Sequence, residues 1–401
     1  MTRDPSGAWS VLAVTLAIQA LVSMAVLTVP AMAPAMAQSL NVSPTLIGLY
    51  IAVVYAGAMV ASLMSGPWVL RWGAIRVSQL GLLVCAAGLV LLAAAPGAVS
   101  ALVGAFLIGV GYGPITPASS HLLARTTPPD RVSLVFSIKQ TGVPLGGVMA
   151  GALVPGLLVW GGTDAALLAV AVGNLVCAVI AQPMREALDA DREPGRPLGV
   201  ASITGPIRLV VSQPQLAQLT SFSFVFSAVQ MCLATYLVTY LHSALGYSLV
   251  VAGVVLSTAQ VGGVVGRVLW GYMADRWLGP RRMLAALAVL MALCCAITAA
   301  LQVGGPLVLV LVLMAAFGAS ATGWNGVYLA EVARLAPAGQ ASAATGGALS
   351  VTFLGVVLGP VLFGTLSGAF DSYRAGYLAL ALPAAACAWQ LLRGPRPTAS
   401  A

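Results

Sequence analysis

The chain has 401 residues, 60% of them hydrophobic and 7% charged, and its 18 lysines and arginines against 10 acids leave a formal net charge of +8. Soluble domains carry about 25% charged residues, so this composition excludes one and selects a membrane protein. The basic excess lies in short polar breaks between apolar runs, which excludes a nucleic-acid face and points to membrane topology.

Apolar segments of about 20 residues, enough to cross a bilayer at about 1.5 Å per residue, follow one another along the chain. Span 1 is expected over 9–36 and contains Gln19. Arg3, this apolar run and Ala35-Met36-Ala37 resemble a secretory leader with its cleavage site. The run is too long for a leader core of about 7–15 residues, so it is read as the first helix. Spans 2 to 4 are expected over 45–69, 77–95 and 99–124, with Tyr112 in the last. Span 5, over 133–159, carries Lys139, the only lysine, and Gln140; span 6 covers 165–184. The longest polar stretch comes next, so the expected organisation is an N-terminal bundle over 1–184, a cytoplasmic linker over 185–214 and a C-terminal bundle over 215–401. The remaining spans are 216–245 with Gln230 and Tyr236, 248–274 with Arg267, 282–302, 307–331 with Trp324 and Asn325, 341–367, and 375–392. The expected fold is an all-α membrane protein: twelve transmembrane helices in two pseudo-symmetric six-helix bundles.

Placing both termini in the cytoplasm puts fifteen arginines there, from Arg3 to Arg396, and leaves only Arg374 facing outward. That asymmetry is what the positive-inside rule demands of a multi-pass protein of a bacterial inner membrane. Ala124-Arg125-Thr126-Thr127-Pro128 returns 209 residues on as Ala333-Arg334-Leu335-Ala336-Pro337, an internal repeat of the six-helix unit. Such parallel repeats place a substrate site near the midplane between the halves. The six cysteines all fall in apolar runs as small hydrophobes, and neither a disulfide framework, a metal site nor a cofactor is indicated.

Between spans 8 and 9 the chain reads Gly271-Tyr272-Met273-Ala274-Asp275-Arg276-Trp277-Leu278-Gly279-Pro280-Arg281-Arg282. This resembles the G-x-x-x-D-R-x-G-R-R loop signature of the major facilitator superfamily, with one residue inserted before Gly279. In the first-half copy, Gly66 to Arg76, Leu70 stands where the family has its aspartate. The resemblance implies gating roles for Gly271, Asp275, Arg276 and Arg281, and for Arg71 in the first copy. The glycine admits close helix approach, and the acid beside a helix end is expected to pair with arginines across a cytoplasmic gate. The antiporter patterns of spans 4 and 5 are degraded, with Ala105 before Phe106-Leu107-Ile108-Gly109-Val110-Gly111 and only a distorted Gly142-Val143-Pro144-Leu145-Gly146-Gly147.

Lys139 and Arg267 lie inside spans 5 and 8, and no aspartate or glutamate is expected comparably deep. A charge at a helix centre costs on the order of 2.5–3.5 kcal/mol, so two internal cations point to an anionic substrate. Snorkelling to the interface is the alternative reading for both, and pairing with Asp275 a further one for Arg267. Gly266-Arg267 ahead of Gly271 also resembles the monocarboxylate and oxalate/formate branches of the superfamily. In that architecture spans 1, 4, 7 and 10 face the cavity, which adds Gln19, Tyr112, Gln230, Tyr236, Trp324 and Asn325, with Gln140 beside Lys139, as candidate substrate contacts.

The expected function is secondary transport of a small organic anion, a mono- or dicarboxylate, with a proton or by exchange, by a monomer in the bilayer. The alternative is an exporter of drugs or other apolar or cationic metabolites, which would favour deep carboxylates. An intramembrane enzyme would need a catalytic constellation within the spans, and His121 and His242 lie near opposite faces.

Overall fold

The computed structural model describes residues 5–32, 35, 36, 38, 47–95, 97–195 and 201–393. Arg3, Arg196, Arg396 and Ala37 of the leader-like sequence lie outside the described residues. All regular structure among the described residues is helical. Spans 1 to 3 are α1 (Pro5–Ala31), α2 (Ile47–Trp72) and α3 (Ala74–Ala94). Span 4 is two helices, α4 (Ala98–Tyr112) and α5 (Ile115–Thr126), and span 5 opens as α6 (Val132–Gln140) before continuing in α7 (Gly142–Ile180). The stretch from Pro129 to Leu188 runs for 60 residues, more than twice what one crossing needs. It turns at Gly161 (φ −146, ψ 17) and Gly162 (φ 76, ψ −170), which separate spans 5 and 6.

The interval expected as a plain linker carries helix within its described residues. It holds a single turn, α8 (Arg185–Leu188), and a three-turn helix, α9 (Ala201–Ser212). Then come α10 (Pro214–Thr239), α11 (Leu249–Met273) and α12 (Pro280–Ala300) as spans 7 to 9, and span 10 is again broken, into α13 (Leu307–Gly323) and α14 (Asn325–Leu335). Spans 11 and 12 are α15 (Ala341–Ala369) and α16 (Tyr373–Leu392). The residue inserted before Gly279 is absorbed by a widened turn over Ala274–Leu278, in which the Gly279 N–H reaches the Ala274 carbonyl at 2.9 Å.

Contacts divide the chain into two compact units: Met1–Pro128, Ile138–Leu216 and Val332–Phe353 form one, and Pro129–Ser137, Ala217–Glu331 and Leu354–Ala401 the other. Within the first, α2 packs along α4 and α3 along α7; within the second, α11 packs along α13 and α12 along α16. These crossings are copies of one another. A Cβ on Gly57 would meet the Phe106 carbonyl oxygen at 2.6 Å, and one on Gly109 would run into that of Val54. In the second unit Gly262 faces the Ala315 carbonyl and Gly318 that of Ala259 in the same way. Bare glycine backbone lets the helices touch, the device by which membrane helices associate where lipid offers no hydrophobic drive. Large apolar side chains such as Val148, Leu153, Val172 and Leu382 are exposed on the spans, as hydrocarbon-facing surface requires.

The segment after span 6 ties the first unit together. Asp189 accepts the N–H groups of Ile75 (2.8 Å) and Arg76 (3.0 Å), capping α3 beside Gly73, whose φ of +93 and missing Cβ admit the carboxylate. Asp191 binds His121 and Arg125 of α5, both at 2.6 Å, and the Glu193 N–H donates to the Leu70 carbonyl at 2.6 Å. Burial pushes the Asp189 carboxyl up more than its N–H donors and Arg185 lower it. Burial also raises Asp191, but there the bonds from His121 and Arg125 outweigh it and hold the carboxyl below the usual range.

Candidate functional site

The break in span 4 has a local cause. Pro114 and Pro117 lack N–H groups, so the Gly113 carbonyl, whose helical partner would be the N–H of residue 117, is left open. Ser62 of α2 fills the place, its hydroxyl donating to Gly113 O at 2.9 Å. In the second unit the equivalent carbonyl is that of Thr322, at the end of α13, and the donor is Arg267 of α11 through Nε at 3.0 Å. The same position of a repeated crossing thus holds a serine in one half and a buried arginine, 2% exposed, in the other. A cation at a helix C-terminus is favoured by the aligned carbonyls.

A polar cluster surrounds each break. In the first unit the Lys139 ammonium, 1% exposed and at the end of α6, donates to Gln19 Oε1 (2.7 Å), Thr116 Oγ1 (3.1 Å) and Gln140 Oε1 (3.3 Å). The Thr116 hydroxyl donates in turn to Gln19 Oε1 at 3.0 Å, and Gln19 Nε2 to Ser23 at 3.3 Å, which fixes the amide with its oxygen towards the lysine.

In the second unit Asn325 Nδ2 donates to Gln230 Oε1 (3.1 Å) and to Thr322 O (3.3 Å), and Trp324 Nε1 donates to Gln230 Oε1 (3.2 Å). The Thr322 carbonyl therefore joins Arg267 and Asn325, and Gln230 joins Asn325 and Trp324. A second indole, that of Trp270, donates to Ala319 O at 2.7 Å, pinning α11 to α13.

Seven of the nine residues expected at a substrate site thus fall into two clusters: Gln19, Lys139 and Gln140 in one unit, Gln230, Arg267, Trp324 and Asn325 in the other. The other two do not join them. Tyr112 ends α4 with its ring 6.3 Å from Phe353, and Tyr236 stacks on Phe363 at 4.6 Å while its hydroxyl donates to Pro360 O at 2.8 Å. Thr116, Ser23, Ser62 and Thr322 escaped sequence reasoning. Their signal was the Gly-Pro break of span 4, since interrupted helices at matching places in the two halves point to a binding site. Glu331 of α14 is also buried, at 3% exposure, although hydropathy and spacing put no acid that far inside.

The gating loop needs one correction. Asp275 accepts the N–H groups of Ser133 (3.0 Å) and Leu134 (2.7 Å) at the start of α6, where arginine partners were expected. Unsatisfied N–H groups at a helix start are ready-made carboxylate donors. Gly271 makes the contact possible, because a Cβ there would meet Ser137 Oγ at 2.5 Å. Arg281 instead bridges within its own bundle, to Gln218 Oε1 (3.2 Å) and Leu391 O (3.4 Å); Arg276 is exposed and Arg71 half-buried.

Glycine-packed crossings repeated in the two units, matched helix breaks and buried polar clusters define a multi-pass α-helical membrane protein. The sequence model of the Major Facilitator Superfamily matches residues 12–350 and 270–401, and the chain belongs to that superfamily. An uncharacterised MFS-type transporter of Mycobacterium tuberculosis is 26% identical over 301 residues, 72% of this chain and 65% of that one, so the chain spans a little under two thirds of this relative's length. The hexuronate transporter of Bacillus subtilis is 22% identical over 61% of this chain and 58% of its own. Among solved structures the Escherichia coli fucose:proton symporter superposes with a TM-score of 0.78 at 17% identity, covering 96% of this chain and 98% of that one. The human organic anion transporter MFSD10 gives 0.79 at 16% identity, covering 97% and 100%. At such identities these two matches establish the fold.

Proposed function

We propose that the protein is a secondary transporter that carries a small organic anion, a mono- or dicarboxylate, across the bacterial inner membrane by alternating access of its two bundles. The observation that carries this reading is Arg267. Where the first unit has only the Ser62 hydroxyl, the second unit places a charged, planar donor, Arg267, in a buried site. Such a fork suits a carboxylate, and in the first unit Lys139 places a point-like cation among polar groups of its own. The similarity to a hexuronate transporter supports a carboxylate that also carries hydroxyl groups, for which Gln19, Gln140, Gln230 and Asn325 offer amide partners. Both termini and the arginine-rich ends face the cytoplasm in this reading, and the substrate moves with a proton or by exchange through a monomer. The Asp275 bond to the start of α6 then acts as a latch that opens once per cycle.

The test is a thermal-shift panel on purified protein, because a ligand that binds only the folded state raises its stability. Mono- and dicarboxylates including hexuronates, neutral sugars and lipophilic cations are compared on wild type, Lys139→Ala and Arg267→Ser. Stabilisation by a carboxylate class, lost in both variants, is the expected result. Stabilisation by apolar drugs or lipophilic cations alone overturns it in favour of an exporter.

A further inference from the structure

The helix α9 ends one residue before Pro214 opens span 7, so its C-terminus is held at the membrane surface. Its depth is set by Gly347 of α15, where a Cβ would meet the Pro206 carbonyl oxygen at 2.6 Å and Val210 Cγ2 at 3.0 Å. Gly347 lies six residues inside the start of α15 at Ala341, about 9 Å along its axis. With the start of α15 taken as the membrane surface, that is the depth of interfacial helices, which bury their apolar face about 5–10 Å into the boundary between headgroups and acyl chains.

Its side chains divide accordingly. Pro206 and Val210 are buried against the protein, and Ile207 (45% exposed) and Val211 (68% exposed), four residues apart, continue the same apolar arc into the open. Thr204, Arg208 and Ser212, again at four-residue spacing, form an exposed polar strip beside it. Half of the apolar arc is therefore covered by protein and half is not.

We propose that α9 is an interfacial lipid-binding helix, with Ile207 and Val211 in the acyl boundary and Arg208 holding the phosphate of an anionic phospholipid. The occupant follows from depth and charge. The uncovered ridge lies where hydrocarbon begins, and a guanidinium binds phosphate in a forked geometry. A free phosphate would leave the ridge in water, so the lipid is the ligand that satisfies both strips.

The experiment uses full-length protein in nanodiscs of phosphatidylcholine with and without phosphatidylglycerol. Nitroxide labels at Val211→Cys and, separately, Thr204→Cys report depth through their relative accessibility to oxygen and to a water-soluble nickel chelate. The expected result is oxygen-dominated accessibility at 211 and nickel-dominated at 204. Thermal stabilisation by phosphatidylglycerol should weaken about fivefold in effective affinity in Arg208→Gln, the share of one basic residue. Equal nickel access at both labels overturns the proposal, as does a label at 211 shielded from both reagents, which would indicate a protein partner or a second copy. Inorganic phosphate reproducing the whole stabilisation overturns it too. Labels remain informative where a charged substitution at Ile207 or Val211 would prevent folding.

Discussion

Arg267 and Ser62 donate to equivalent carbonyls of a repeated helix crossing, and that pairing separates what the fold needs from what the proposed site adds. Arg267→Ser should keep the bond to Thr322 O in kind, so the melting temperature in detergent should stay near wild type. Ligand affinity should fall roughly 30- to 150-fold, the loss of one charge-assisted hydrogen bond worth about 2–3 kcal/mol. Unchanged affinity by ligand-induced shift would assign Arg267 to the crossing alone. Gln19 has the opposite logic. Its oxygen serves both Lys139 and Thr116, so Gln19→Leu leaves a buried ammonium one acceptor short, at a cost of about 1–3 kcal/mol in stability by detergent unfolding.

At the scale of elements, the two glycine-packed crossings, one in each unit, set the tolerance of the bundles. Gly109→Val and Gly318→Val should each destabilise at the upper end of the ~1–3 kcal/mol of overpacking, or abolish folding, because the added carbons meet backbone and not flexible side chains. Gly253, where a Cβ would meet nothing within 4 Å, should accept alanine without loss, and comparing melting temperatures of the three variants checks both statements. The segment after span 6 is a pH-dependent tie. Asp191 titrates below its unfolded value, so its contribution is complete above the ordinary carboxylate range and disappears as pH falls through the lowered value. Asp189, raised by burial, acts in the opposite sense, and its contribution is lost as pH rises through the raised value. Asp191→Asn should therefore lower the melting temperature at neutral pH and leave a shallower acid limb; parallel melting curves at every pH would refute the tie.

For the whole molecule, the proposed alternating access requires contacts that form and break, and the cap of Asp275 on the start of α6 is the contact proposed for that role. Asp275→Asn removes the charge from a helix start and keeps one acceptor, a change of about 0.5–2 kcal/mol. Transport in proteoliposomes should change while substrate affinity in detergent holds, since Asp275 belongs to neither cluster.

Much of this was legible in residue order. The succession of membrane-spanning helices follows from hydropathy, because a bilayer imposes one length on every crossing. Lys139, Arg267 and Asn325 stood out for the same reason: polar groups are costly in hydrocarbon and need partners. The partners themselves were not legible. Thr116 and Ser62 are ordinary residues until Pro114 and Pro117 open a carbonyl beside them, and the equivalence of Ser62 and Arg267 emerges only when two crossings are compared. Asp189 and Asp191 looked like linker charge, yet they hold helix ends far away in sequence. Composition and periodicity by themselves determined the class of protein, since those depend on each segment's own contact with lipid. Which polar groups meet, which acid caps which helix and what α9 packs against were decided by tertiary structure alone, because hydrogen bonds and close backbone approach depend on distances between segments that no local pattern encodes.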